Sequence, residues 1–454
     1  MSFFQQVPAM YKVSEPDQLV DHQQQLIGLF PGLFDSEEFS DLLLVVNSSL
    51  QIHTHRLLLV TQSSIFRTML CSQHWPEAQQ STVHLTEDDQ CLPHFQDFLR
   101  YFYTGTINIT TASALPVCML ADKYHVTSLK KSCEGFMSEN VGTPRMYNRA
   151  ISWRKYGRLA DRPELREACD KFIAWNMDTV ISSPDWTSID ADDLHHLLKR
   201  SDLVVANEVS LLKAAVDWLT DHPEQTNDVL QNIRFPVMKP SELYQYQFSG
   251  IGDKSICSYV ERKGTLTYQA NSVDIKILSE HNNIPSAPFS VRLYKASDSG
   301  CPWQLENYSA QGKAPHQIRF TTKTLLAECT WSITFHPKGE RVTMQFQRLN
   351  SYSGYCYTEE QIVTDTDNTV LIWRVENCSL DKSLHDHRLA VLLHTFHNGE
   401  WFVSAVKTFS SAGAENRVED LIPQSERQQY VSNDTMRLHF IGQTEWKEYQ
   451  PTAL

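Results

Sequence analysis

Residues 39–70 read FSDLLLVVNSSLQIHTHRLLLVTQSSIFRTML, and this stretch decides the fold of the N-terminal part. Leu42 to Val46 is a short unbroken apolar run, the form taken by a strand covered on both faces. Asn47-Ser48-Ser49 supplies turn residues, and Leu50-Gln51-Ile52-His53 alternates as a returning strand does. Leu58, Thr61, Ile65 and Met69 then recur at helical spacing, which predicts a helix laying one face on the sheet. The pattern positions no catalytic group. It describes a unit that binds rather than one that transforms.

Working outward, residues 1–17 are polar and expected to be disordered, and Leu19, Leu26 and Phe30 predict a helix over 19–30. Thr82–Leu85 reads as a further strand. Phe95, Phe98, Leu99 and Phe102 form one face of a helix that Thr104-Gly105 ends, and Ile107 and Ile109 alternate as one more short strand. Helices over 114–126 and 128–140 complete an α/β unit assigned to residues 18–140. Residues 141–262 read as helices only. Pro163-Glu164 opens one whose inner stripe is Leu165, Ala168, Phe172 and Trp175. Asp190-x-x-Asp193 resembles a cap ahead of Leu194, Leu197 and Leu198, and Asn207 caps the helix of NEVSLLKAAVDWL.

From residue 263 to 454 the period becomes two. TLTYQANSVDIKIL (265–278), FSVRLYK, CTWSITFHP, RVTMQFQRL, TVLIWRVEN, RLAVLLHTF, WFVSAVKTF and TMRLHFIG are candidate strands separated by turn signals. They predict an antiparallel β-sandwich. The fold class expected is therefore multidomain: α/β, then all-α, then all-β.

At 454 residues, with 41% hydrophobic and 11% aromatic side chains, the chain has the composition of a folded multidomain protein. A net charge of −14 argues against binding nucleic acid through a general basic field, because phosphates demand clustered cations. Sixteen glycines fall below the usual share of roughly 7%, so Gly-rich phosphate cradles are scarce. The one candidate, Gly250-Ile251-Gly252-Asp253-Lys254-Ser255, has an aspartate where phosphate would be repelled. The N-terminus lacks a secretory pattern, and no window approaches the roughly 18 apolar residues of a membrane span, so no membrane insertion is expected.

No Cys-x-x-Cys occurs among the ten cysteines, which are expected to be reduced thiols of a cytoplasmic protein packing as small apolar groups. His53 and His55 lack a third ligand nearby, and His385, His387, His394 and His397 straddle alternating strand positions, so no metal and no cofactor is expected. Neither Gly-x-Ser-x-Gly nor His-Glu-x-x-His is present, and no catalytic residue is assigned. Sequons at Asn47, Asn108, Asn307, Asn377 and Asn433 point the other way, toward glycosylation in a secretory pathway.

FSDLLLVV, HRLLLVTQSSIFRTML, FLRYFYTGTI and LADKYHVTSLKKSCEGFM, in that order, resemble the BTB/POZ family over residues 39–137. LREACDKFIAWNMDTVISSPDW and LLKRSDLVVANEVSLLKAAVDWL look like the BACK domain that commonly follows it, and DLIPQSERQQYVSNDTMRLHFIG is similar to the closing strands of a TRAF-like (MATH) sandwich. The resemblance implies a homodimer through the BTB unit. The residues supply a reason: the helix before Phe39 and the first sheet helices carry more apolar face than one small unit can bury, unless the helical segment covers it. It also implies recruitment of cullin-3, since such proteins often carry an apolar-x-Glu motif here matched by Trp75-Pro76-Glu77. Phe66, Trp75 and Glu77 are the contact candidates. Asp41 and His55 match positions near the dimer core, where an ion pair or hydrogen bond is expected rather than catalysis. The sandwich would bind an unidentified protein client. Some vertebrate members of this group are secreted, which keeps an extracellular glycoprotein and a scaffold without ubiquitin transfer as alternatives.

Overall fold

The computed structural model describes Gln25 and residues 28–247, 254–270, 292–296, 299–323, 328–349, 356–378 and 385–446. The expected disordered start (1–17), most of the helix predicted over 19–30, the glycine-containing link 250–253 and residues 271–278 of the first predicted sandwich strand lie outside the described residues. The chain divides into two compact units, Met1–Glu134 and Gly135–Leu454.

In the first unit, β1 (Leu42–Val46) and β2 (Leu50–Thr54) form the antiparallel hairpin that the sequence predicts, with Leu44 opposite Ile52. Asn47 and Ser48 both take left-handed backbone, φ 47° and 59°, and the Ser49 N–H returns to the Val46 carbonyl at 3.1 Å. Two successive left-handed residues give the turn the twist of the flanking strands. Asn47 is fixed there by reciprocal 2.8 Å hydrogen bonds with the Glu87 main chain. β3 (Thr82–Leu85) pairs with β1 in parallel, so β1 is the central strand. That place accounts for its unbroken apolar run.

The single helix expected after β2 is two, α1 (Arg56–Gln62) and α2 (Ser64–Cys71). Ser63 breaks them with extended backbone, and its hydroxyl accepts the Phe66 N–H at 3.0 Å. The buried stripe is consequently Leu59, Ser63, Phe66 and Leu70. The expected stripe is displaced: Thr61 and Ile65 are exposed, Leu58 and Met69 half-buried. α3 (Leu92–Thr104) buries Phe95, Phe98, Leu99 and Phe102 and stops at Gly105, φ 66°. Residues 106–110 are not the expected strand: Ile107 and Ile109 are half-buried, and no described strand pairs with them. Two apolar positions are too few to hold a register. α4 (Ala114–Lys123) and α5 (Thr127–Glu139) follow.

Past α5, whose last turn already belongs to the second unit, come α6 (Ala150–Leu159), α7 (Pro163–Trp175), α8 (Met177–Ile181), α9 (Ala191–Lys199) and α10 (Glu208–Leu219). α11 (Thr226–Leu230), α12 (Pro240–Gln247) and α13 (Lys254–Ala270) complete the helical part. Pro163 stands in the first turn of α7, and Asn207 Oδ1 accepts the Ser210 N–H at 2.9 Å, both as predicted. Asp190 makes no cap bond. It pairs instead with Lys155 and Arg158 at 2.9 and 3.1 Å, and Asp193 with Arg154 and Arg158 at 2.8 Å each. Three cations within reach outbid a helix-end N–H for these two carboxylates. The segment is not helical throughout, because β4 (Val204–Val205) pairs in parallel with β5 (Leu293–Tyr294). TLTYQA, the first six residues of the first predicted strand, instead continue α13.

The remaining strands are β6 (Gly300–Leu305), β7 (His316–Lys323), β8 (Glu328–His336), β9 (Arg341–Leu349), β10 (Cys356–Asp365), β11 (Val370–Cys378), β12 (His385–His397), β13 (Glu400–Ser410), β14 (Asn416–Glu419), β15 (Val431–Ser432) and β16 (Thr435–Trp446). One sheet runs β14-β11-β8-β7. The other runs β13-β12-β16-β15, with β6 also on β16, and β9–β10 forms a separate hairpin. Trp331, Ile333 and Phe335 of β8 and Trp373 of β11 pack with Leu389, Val391 and Leu393 of β12 and Leu438 and Phe440 of β16 in one core. Alternate residues of β12, Ala390 and Leu392, join Val204, Leu293, Val403 and Ile441 in a second core. β12 is apolar on both sides because both of its faces are covered.

Candidate partner surfaces and a buried side-chain cluster

Trp75, the first candidate contact, is 48% exposed, and Glu77 is half-buried in the short 3-10 turn Pro76–Ala78. Arg56 holds the segment beneath them. Its guanidinium donates to the carbonyls of Leu70 (3.2 Å), Glu77 (3.3 Å), Ala78 (3.3 Å) and Gln80. Phe66 does not belong to this surface. It is 0% exposed, its ring stacked on Tyr124 at a centroid distance of 4.5 Å. The helix break at Ser63 is what turns Phe66 inward.

Asp41 is exposed, and its Oδ1 accepts the Arg56 N–H at 2.8 Å in the first turn of α1. His55 donates its main-chain N–H to the Tyr103 hydroxyl at 2.9 Å, with ring Nδ1 3.1 Å from the same oxygen. Burial pushes the Tyr103 phenol up to about 12. Both residues thus tie the β2–α1 corner by hydrogen bonds. Around this corner, apolar side chains remain in solvent. Among the described residues, Leu29, Phe39, Leu57, Ile65 and Trp75 of the first unit are large and exposed. Phe39 is 77% exposed and left-handed, φ 62°, a conformation that suits glycine or asparagine and strains an aromatic residue.

In the second unit the helical and strand parts share polar contacts as well as a core. Arg292 and Glu208, both buried, pair at 3.0 Å. Arg292 also donates to the Leu198 and Asn232 carbonyls at 2.7 and 3.1 Å, and the Tyr294 hydroxyl donates to Glu208 at 2.5 Å. Asn176, just after α7, donates to the Val403 carbonyl at 2.9 Å and accepts the Val403 N–H at 2.8 Å. It satisfies the β13 edge beside the bulge at Ser404. Next to it, α7 and the β12–β13 hairpin enclose a groove of about 530 Å3 lined by Val141, Phe172, Trp175, Phe396 and Phe402.

At one end of the sandwich, Cys329, Cys378 and His387 bring their ligand atoms within 4.8 Å of one another. The sequence gives no hint of this, because the residues lie on three strands without a spacing motif. No disulfide joins the described cysteines. His53 and His55 gather no third ligand among the described residues. Of the sequon asparagines, Asn108, Asn307, Asn377 and Asn433 are exposed, whereas the Asn47 amide is committed to Glu87. No described helix is long and apolar enough to cross a membrane.

Comparison with known proteins finds three matches along the chain. Residues 30–141 match the BTB/POZ domain, 150–247 the BTB And C-terminal Kelch (BACK) domain, and 289–445 the BTBD17 TRAF domain. These are protein-interaction modules rather than enzyme families. BTB/POZ domain-containing protein 17 of Xenopus laevis is 30% identical over 338 residues, covering 72% of this chain and 70% of that one. The Homo sapiens protein of that name is 27% identical over 337 residues, 72% and 69% of the two chains. Galectin-3-binding protein of Mus musculus is 26% identical over 310 residues, 64% of this chain and 52% of that one. An α/β unit with its helix-broken corner, a helical array and an antiparallel sandwich, matched in that order, place this chain in the BTB–BACK–TRAF family of BTB/POZ domain-containing protein 17.

Proposed function

We propose that this chain is a homodimeric adaptor that brings a protein client to a cullin-3 ubiquitin ligase in the cytoplasm. The observation that carries the reading is the exposed apolar set at the start of the first unit, above all Phe39, held in strained backbone and largely exposed to water. Strain persists where the surroundings or a partner over-determine it, and an exposed aromatic side chain gains most by covering. A two-fold partner surface satisfies both conditions. Trp75 is an aromatic anchor on a loop stiffened by Arg56, with Glu77 beside it, and this is the composition of an interface hot spot.

The client reading rests on the strand part. Among the described strands, β7 pairs with β8 alone, which leaves its other edge for an extended peptide. The test is recovery of cullin-3 with the tagged full chain from cells. Trp75→Ala is expected to reduce recovery by about thirtyfold, the loss of a hot spot worth roughly 2 kcal/mol. Absence of cullin-3 from the wild-type complex, or equal recovery with Trp75→Ala, rejects the ligase reading. A second reading, an extracellular oligomeric glycoprotein, is favoured by the four exposed sequon asparagines. A mass shift on deglycosylation of cell-derived protein supports it, and unmodified protein in the cytosolic fraction rejects it.

A further inference from the structure

Cys329 is the second residue of β8, and Cys378 closes β11 directly opposite it. His387 and Thr444 are likewise opposed, on β12 and β16 of the facing sheet. One cross-strand pair from each sheet therefore meets at the end of the sandwich. Thr444 Oγ1 lies 3.2 Å from His387 Nδ1 and 3.6 Å from Cys329 Sγ, so it orients both. We propose that Cys329, Cys378 and His387 bind a zinc ion that clamps the two sheets of the sandwich together.

The donor set selects the ion. Two sulfurs and an imidazole nitrogen suit tetrahedral zinc over harder cations that prefer oxygen. Zinc–ligand bonds of about 2.3 Å to sulfur and about 2.0 Å to nitrogen give ligand separations of roughly 3.5 to 3.8 Å. The observed cluster, within 4.8 Å, reaches that by small side-chain rotations. Charge fits as well. Zn2+ displaces one proton from each thiol to solvent and forms two zinc–sulfur bonds, so the site becomes neutral, as a buried place requires. Thr444 supplies the outer contact that metal-bound histidines use to fix their ring, and half-buried Cys378 marks the entry path. Solvent completes the fourth position.

The test uses the purified full chain, reduced, stripped with chelator and then given Zn2+ or Co2+ alone. One ion per chain is expected, with sulfur-to-cobalt charge-transfer absorption, release of two protons per ion and a rise in the melting temperature of the sandwich. Cys378→Ser, at the half-buried rim, should lose the charge-transfer band and the thermal shift while its circular dichroism stays that of the wild type. Thr444→Val should weaken binding by about 10 to 100-fold, and exposed Cys71→Ser should change nothing. Failure of the reduced wild type to retain an ion overturns the proposal. So does equal retention by Cys378→Ser, or a Cys329–Cys378 disulfide found by peptide mapping of protein taken from cells.

Discussion

At the scale of single residues, two features carry consequences that can be measured. Phe39 takes φ 62° at the third position of a turn closed by the Ser40 N–H on the Glu37 carbonyl at 3.3 Å. A left-handed residue there favours glycine, and a side chain costs roughly 1 kcal/mol. Phe39→Gly should therefore stabilise the isolated first unit by about 1 kcal/mol in urea unfolding and at the same time weaken self-association about tenfold or more in sedimentation. Effects of the same sign on both would show that Phe39 serves the fold and not a partner. The second feature is a pair of histidines in the sandwich, buried His439 and half-buried His394. Burial is the first cause that lowers both His394 and His439 from 6.5 to about 4. His394 also faces His439, Lys295 and Arg437, and His439 faces Lys295. In the unfolded chain these rings take a proton near pH 6.5, in the folded chain only near pH 4. The unfolded state thus binds more protons in between, and stability present above pH 6.5 is lost as the pH falls toward 4. The pair together removes on the order of several kcal/mol by pH 4. His316 and His336 are lowered by burial too, with the same sign. Urea midpoints of the second unit should drop between pH 7.5 and pH 5, above the range where carboxylates titrate, and less so in His439→Gln. A flat profile across that window rejects the assignment.

Elements differ in how far their sequence reveals them, and the reason is what covers their faces. β1 and β12 are legible because both faces are buried, which leaves an apolar run no helix period explains. α3 is legible because four aromatic and leucine side chains fall on one face and glycine ends it. The α1–α2 corner is not, since Ser63 looks like an ordinary helix residue until its hydroxyl is seen taking the Phe66 N–H. One residue of phase then moves Phe66 from surface to core. Of the missed strands, β6, β7 and β14 are polar on one face and β4 and β15 are very short, so alternation is weak in them. The cluster of Cys329, Cys378 and His387 is illegible for a different reason: only the pairing of two sheets creates it. Between helices and strands, the Arg292–Glu208 pair has neither side chain in water. Removing one partner leaves a buried charge, so Glu208→Ala should cost roughly 3–5 kcal/mol in chemical denaturation of the second unit. Arg292→Met together with Glu208→Leu should recover most of that loss. A small effect of Glu208→Ala alone would mean the pair is solvated in solution.

For the whole molecule, the sequence suggests separable helical and sandwich domains, and the structure joins them in one unit, Gly135–Leu454. The outer face of the sheet containing β12, with Ala390, Leu392, Val403 and Ile441, is covered by Val204 and Leu293 and by Trp175 at the rim. Asn176 and Arg292 add hydrogen bonds that only the opposite part can complete. Helices and sandwich share a core, so the two parts are packed as one body. The consequence concerns cooperativity. Residues 135–454 expressed alone should unfold in a single transition, with far-ultraviolet signals of helix and strand changing together. Residues 289–454 expressed without the helices expose the apolar face of β12 and β13 and the unpaired β5, the conditions for edge and face association. Light scattering should report aggregation of that shorter fragment at concentrations where 135–454 remains a single species. A soluble, cooperatively folded 289–454 fragment would show instead that the sandwich is complete by itself and that the shared core is an ordinary domain contact.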